Sequence, residues 1–103
     1  MPEELPRHVA DLFWDVDPRR ISLERDLDFV LGRVLSSGGL RSIQWLRARV
    51  GDDAIRSYLE RTRGRKLGAR QLRFWELVLD LARPVVDDWL GDEARRVWER
   101  RAG

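Results

Sequence analysis

The sequence predicts an all-α fold, a compact single-domain bundle of five to six short helices around a central apolar helix (69–82). Three observations carry that prediction. Apolar residues recur at helical spacing in one segment after another, most clearly at Leu23, Leu27, Val30, Leu31, Val34 and Leu35. Capping and breaking residues divide these segments at short intervals: Pro18, Ser22, Gly38-Gly39, Gly51, Gly64, Gly68, Pro84 and Gly91. No stretch alternates apolar and polar residues for long enough to read as a strand.

Residues 1–20 form an irregular lead-in. Pro2 and Pro6 interrupt its start, and His8 to Trp14 allows one helical turn. Asp15-Val16-Asp17-Pro18 then stops any helix, because Pro18 pushes Asp17 toward extended geometry. The Leu12-Phe13-Trp14 cluster is expected to dock on the core as an apolar plug.

Residues 21–83 form the helical core. Ser22 is placed to cap the first amphipathic helix, with Glu24 and Asp26 in the first turn where the helix dipole favours acids. Gly38-Gly39 ends it. The second helix runs from Leu40 to Val50 with Leu40, Ile43, Leu46 and Val50 inward, and Gly51 caps its end. Trp45 lies beside Leu46, in core or at rim. Asp52 or Asp53 starts a third helix over 54–63 that buries Ile55, Leu59 and Tyr58. Gly64-Arg65-Lys66-Leu67-Gly68 is a basic turn with one apolar anchor.

The central helix comes next. On a wheel of about 100° per residue, Arg70, Arg73, Glu76, Asp80 and Arg83 fall in one narrow stripe. Leu72, Phe74, Trp75, Val78, Leu79, Leu81 and Ala82 cover the opposite side, so the helix needs neighbours on more than one face. Residues 84–103 extend the same domain with a short helix to Leu90 and a final one, capped by Asp92, carrying Ala94, Val97 and Trp98.

Composition narrows the function classes. A chain of 103 residues buries one core. The longest uncharged run, residues 34–40, is far short of a membrane span, and no signal-peptide pattern is visible, so a cytoplasmic protein is expected. Cysteine is absent, which excludes disulfides, thiolate metal sites and cysteine catalysis. The absence of Asn and Cys, with Met1 the sole methionine, points to a thermophilic source; the preference for Arg over the single Lys66 fits a GC-rich genome equally.

Charge is unevenly spread. Ten basic residues (Arg41, Arg47, Arg49, Arg56, Arg61, Arg63, Arg65, Lys66, Arg70, Arg73) face only Asp52, Asp53 and Glu60 within residues 41–73. That third carries +7 and the remainder −5. Such a division predicts either a basic surface for an anionic partner or merely an Arg-rich solvated face.

No catalytic motif stands out. His8, the one histidine, reads as a surface residue without an orienting partner. Asp15-x-Asp17 has the form of paired carboxylates for a divalent cation, but the Asp-Pro turn explains Asp17 as structure and no third acid is near in sequence. The serines lack a nucleophile-elbow context, and the glycines lack a phosphate-cradling pattern. No metal and no cofactor are expected. Helix 53–63, basic turn and helix 69–82 outline a helix-turn-helix whose second helix begins Ala69, Arg70, Gln71 and Arg73, types that reach phosphates and bases. Its apolar character argues against lying freely in a groove.

Leu12-Phe13-Trp14-Asp15-Val16-Asp17, with Phe29-Val30-Leu31-Gly32-Arg33-Val34-Leu35, Trp45-Leu46, Ile55, Leu59, Arg63, Leu67 and Phe74-Trp75, resembles a family of small uncharacterised bacterial proteins. Members of that family tend to be encoded beside nucleotidyltransferase toxins of the AbiEii/AbiGii abortive-infection type. The likeness runs from about Leu12 to Leu79 and brings no catalytic residues with it. It implies an antitoxin-like protein that binds and neutralises a cognate nucleotidyltransferase-type toxin. The expectation is therefore a non-enzymatic protein-binding module, with Arg63, Arg65, Lys66, Arg70, Arg73 and Trp45 as partner-binding residues. The alternative is a DNA- or RNA-binding regulator using the basic surface 41–73.

Overall fold

A computed structural model describes residues 5–91, and among them every regular element is helical. The order is α1 (Arg7–Ala10), a 3-10 turn (Pro18–Arg20), α2 (Leu27–Ser37), α3 (Leu40–Val50), α4 (Asp52–Thr62), α5 (Ala69–Val78) and α6 (Arg83–Leu90). The all-α single-domain fold is what the periodicity predicts. None of these helices is long and apolar enough to cross a membrane.

α2 is the most deeply buried helix, with Val30, Leu31, Gly32, Val34 and Leu35 all inside. Its apolar stripe is wide enough to meet both α3 and α4. Gly32 is the close-contact point, since a Cβ there would stand 2.8 Å from the Tyr58 hydroxyl on α4. α4 contributes Ile55, Tyr58 and Leu59, and burial raises the Tyr58 phenol pKa above its ordinary value. α5 supplies Leu72 and Trp75 and packs mainly on α6, which buries Val86 and Trp89 in return. Of the apolar residues expected to be covered in 69–82, Leu72, Trp75 and Leu79 are core, and Val78 and Leu81 are half-buried. Phe74 and Ala82 are exposed, because α5 is covered mainly by α6 on one side; α2 shares the central role.

Leu40, expected inward, stands at the first residue of α3 and is 66% exposed. Further local features also depart from the sequence reading, each for a physical reason. Ser22 does not open α2. It closes a separate turn in which Asp26 Oδ2 accepts from the Ser22 amide at 3.0 Å and Ser22 Oγ accepts from the Arg25 amide at 3.3 Å. Such side-chain bonds compete with continuous helix, and α2 starts only at Leu27. α5 ends at Val78 rather than at 82. Asp80 adopts the left-handed conformation (φ 53°) and Leu81 donates its amide to the Glu76 carbonyl at 2.9 Å, a Schellman closure. The expected apolar plug is split. Phe13 is buried and Leu12 half-buried, but Trp14 points outward and is 85% exposed.

The turn between α4 and α5 is built on two left-handed residues, Arg63 (φ 55°) and Gly64 (φ 64°). Gly64 donates its amide to the Leu59 carbonyl at 3.1 Å, and any Cβ there would collide with the Leu72 side chain. Leu67 is buried as the expected anchor. Gln71 then ties the start of α5 to the end of α2: its Oε1 accepts from the Gly68 amide and its Nε2 donates to the Ser36 carbonyl, both at 2.8 Å. The final helix expected from Asp92, with Trp98, lies outside the described residues.

Candidate protein-binding site

The 12–17 segment cannot be helical, and three consecutive large apolar residues in a turn cannot all face one way. The chain resolves this with a tight turn in which the Val16 amide donates to the Phe13 carbonyl at 3.4 Å, placing Trp14 and Asp15 at the corner. Phe13 turns in against Phe29 of α2, ring centroids 5.4 Å apart and tilted at 59°. Trp14 turns out.

Arg33 on α2 holds that turn from below. Its guanidinium donates to both oxygens of Asp15 at 2.7 and 3.0 Å, and to the Leu12 carbonyl at 2.7 Å. The same group lies 5.3 Å from the Phe13 ring centroid and 5.2 Å from that of Phe29. One partly buried cation thus grips the residues on both sides of Trp14 and rests on two aromatic faces. Arg33 holds the Asp15 carboxyl below its ordinary pKa by hydrogen bonding, and Asp15 in turn raises that of Arg33.

Beside the turn, Val16, Asp17, Arg20, Ile21, Asp26 and Phe29 line an open groove of about 450 Å³. Val16 and Phe29 are each more than 40% exposed, so the groove presents apolar surface beside the charged Asp17, Arg20 and Asp26. Asp17 anchors the 3-10 turn by accepting from the Arg19 amide at 3.0 Å, and the Arg19 side chain pairs with it. An exposed indole on a braced turn next to a half-apolar groove has the form of a protein contact with a central aromatic anchor.

The residues expected to bind a partner are only partly brought together. Arg63, Arg65 and Lys66 line one groove with Tyr58, Arg61 and Thr62. Arg70 is exposed at the start of α5. Arg73 instead turns toward α6, pairing with Glu76 at 2.6 Å and Asp87 at 2.5 Å. Arg63 reaches Asp88 at 2.8 Å, and Arg61 reaches Asp28 at 2.6 Å. Trp45 is half-buried against the core on α3, apart from the lining of that groove.

Asp28, Glu76, Asp87 and Asp88 lie outside the basic third of the sequence, yet fold onto it. Much of the +7 is cancelled in this way.

The remaining candidates have structural partners. His8 is part-buried, its Nδ1 3.1 Å from Ser42 Oγ while Ser42 donates to the His8 carbonyl at 3.2 Å, a clasp between α1 and α3. This differs from a surface histidine in a loose lead-in. Asp15 and Asp17 each face an arginine, and no cluster of three or more metal-ligating side chains occurs among the described residues.

Trp14, Arg33 and Phe29 are the functional candidates that the sequence reading did not single out. Their signal was the run of three large apolar residues directly before a helix-stopping Asp-Pro turn, with an arginine at 33 to brace it.

A family of unknown function, DUF6922, has a model that matches residues 10–59. The matched span contains Trp14, Asp15, Phe29 and Arg33 and ends before the basic turn. No curated protein and no solved structure matches the chain.

Proposed function

We propose that this chain is a non-catalytic, cytoplasmic protein-binding module of the antitoxin kind, and that Trp14 is the anchor with which it grips a nucleotidyltransferase-type toxin. The observation that carries this reading is the outward indole of Trp14, 85% exposed on a turn that Arg33 braces from both sides. Tryptophan is the residue type most enriched among residues that dominate binding energy, and a turn fixed in advance loses little entropy when bound. Val16, Phe29 and their groove supply the apolar surround, and Arg20 and Asp17 the charged rim. The toxin as partner rests on the family resemblance of the 12–17 run. Occlusion of the toxin's active site requires no catalytic group on this chain.

Co-expression tests the reading. The product of the neighbouring gene should be a nucleotidyltransferase that arrests growth when induced alone. The wild-type chain should relieve the arrest and the Trp14→Ala chain should not, at equal soluble levels. Relief by Trp14→Ala equal to wild type contradicts the proposed anchor.

A further inference from the structure

The groove between the end of α4 and the following turn is lined by Tyr58, Arg61, Thr62, Arg63, Arg65 and Lys66, with a volume of about 360 Å³. Four of those six residues are cations and none is a carboxylate. Arg61 and Arg63 are partly neutralised through Asp28 and Asp88. Arg65 and Lys66 are exposed, as is Arg70 just beyond, and no described carboxylate pairs with any of the three. Positive charge therefore survives folding at this edge, where acids from α2 and α6 do not reach.

We infer that the edge formed by Arg65, Lys66 and Arg70, with the adjoining groove, binds the phosphodiester backbone of a nucleic-acid duplex without reading its sequence. Two of the side chains at the start of α5 that would read bases, Gln71 and Arg73, are already occupied. Gln71 spends its oxygen on the Gly68 amide and its nitrogen on the Ser36 carbonyl. Arg73 is held by Glu76 and Asp87. Direct readout needs such amide and guanidinium groups free to meet base edges. Single-strand binding needs exposed aromatic faces for stacking, and the one ring lining the groove, Tyr58, is buried. What remains is a set of point and fork charges suited to phosphates. This surface is separate from the Trp14 turn, so either activity can fail without the other.

Fluorescence anisotropy of the full chain with short labelled duplexes tests the inference, using DNA and RNA of matched and of scrambled sequence. Each phosphate contact adds about 0.9 to the slope of log affinity against log salt. The variant R65Q/K66Q/R70Q is expected to flatten that slope by roughly three and to weaken binding equally for all sequences. Trp14→Ala should bind duplexes as wild type does. Whichever duplex binds more tightly identifies the source of the phosphates. A thermal melt of the triple variant checks that it is folded. Absence of duplex binding at about 50 mM salt, where such contacts are strongest, overturns the inference. So does a salt slope that the triple variant leaves unchanged, or a preference for one sequence that survives it.

Discussion

Arg33 and Asp15, eighteen positions apart, meet as a bidentate pair at 2.7 and 3.0 Å, and the same guanidinium takes the Leu12 carbonyl. The pair fixes the corner on which Trp14 stands. An arginine fork suits this arrangement because it presents parallel N–H groups to a carboxylate and a flat face to aromatic rings. Arg33→Ala should therefore cost about 1–3 kcal/mol in chemical denaturation, the range for a charge-assisted bond to a part-buried acceptor. Arg33→Lys should recover only part of that loss, having a single ammonium in place of the fork. Equal stability of Arg33→Lys and wild type would show that charge alone holds the turn.

Acid should loosen the same pair. The Arg33 hydrogen bond holds the Asp15 carboxyl below its unfolded value near 3.8, and Asp26, Asp28 and Asp52 are lowered by their own arginines. A carboxyl lowered on folding adds stability that is complete above its unfolded pKa and is lost as pH falls through the folded one. Thermal midpoints should thus be flat from neutral pH to about 5 and drop below about 4, within the ordinary carboxylate range. Asp15→Asn should start lower and fall less steeply. A wild-type midpoint that declines already between pH 7 and 5 would assign the transition to another group.

Two tryptophans should behave in opposite ways. Trp75 is 1% exposed and Trp14 85%. Trp75→Ala should cost about 3–5 kcal/mol, as deletion of a buried aromatic does. Trp14→Ala should stay within about 0.5 kcal/mol of wild type, as surface changes do. Urea titrations of both variants check this. A large loss for Trp14→Ala would place its ring against the core.

Gly64→Ala should destabilise more than an ordinary surface change. The residue sits at φ 64° and a Cβ would meet the Leu72 side chain, so backbone strain and overpacking act together. A cost of about 2 kcal/mol or more is expected from the two effects, read by thermal unfolding. An unchanged midpoint would mean that Leu72 repacks freely.

The sequence was most informative where one face alone must be buried. α3 and α4 fall almost where spacing and Gly51 put them, because the pattern of Leu46, Ile55 and Leu59 admits one orientation. It was least informative in the turns. Leu12, Phe13 and Trp14 are equally apolar, and which ring goes in depends on Phe29 and Arg33, far along the chain. Ser22 has the chemistry of a cap, but its partner Asp26 closes a turn before α2 begins. The basic surface was legible as a count of charges and not as a field. Arg61 meets Asp28, thirty-three positions away, and Arg73 meets Asp87 on the next helix, so only tertiary structure tells which cations remain open.

Calorimetric titration of the purified chain with the product of the neighbouring gene, which the proposal expects to be a nucleotidyltransferase, tests the central claim most directly. The expected result is a stoichiometric complex that Trp14→Ala weakens by about 30-fold or more, the loss of a dominant contact, while R65Q/K66Q/R70Q changes its affinity little. A complex of wild-type affinity with Trp14→Ala, or no complex with the wild-type chain, would contradict it.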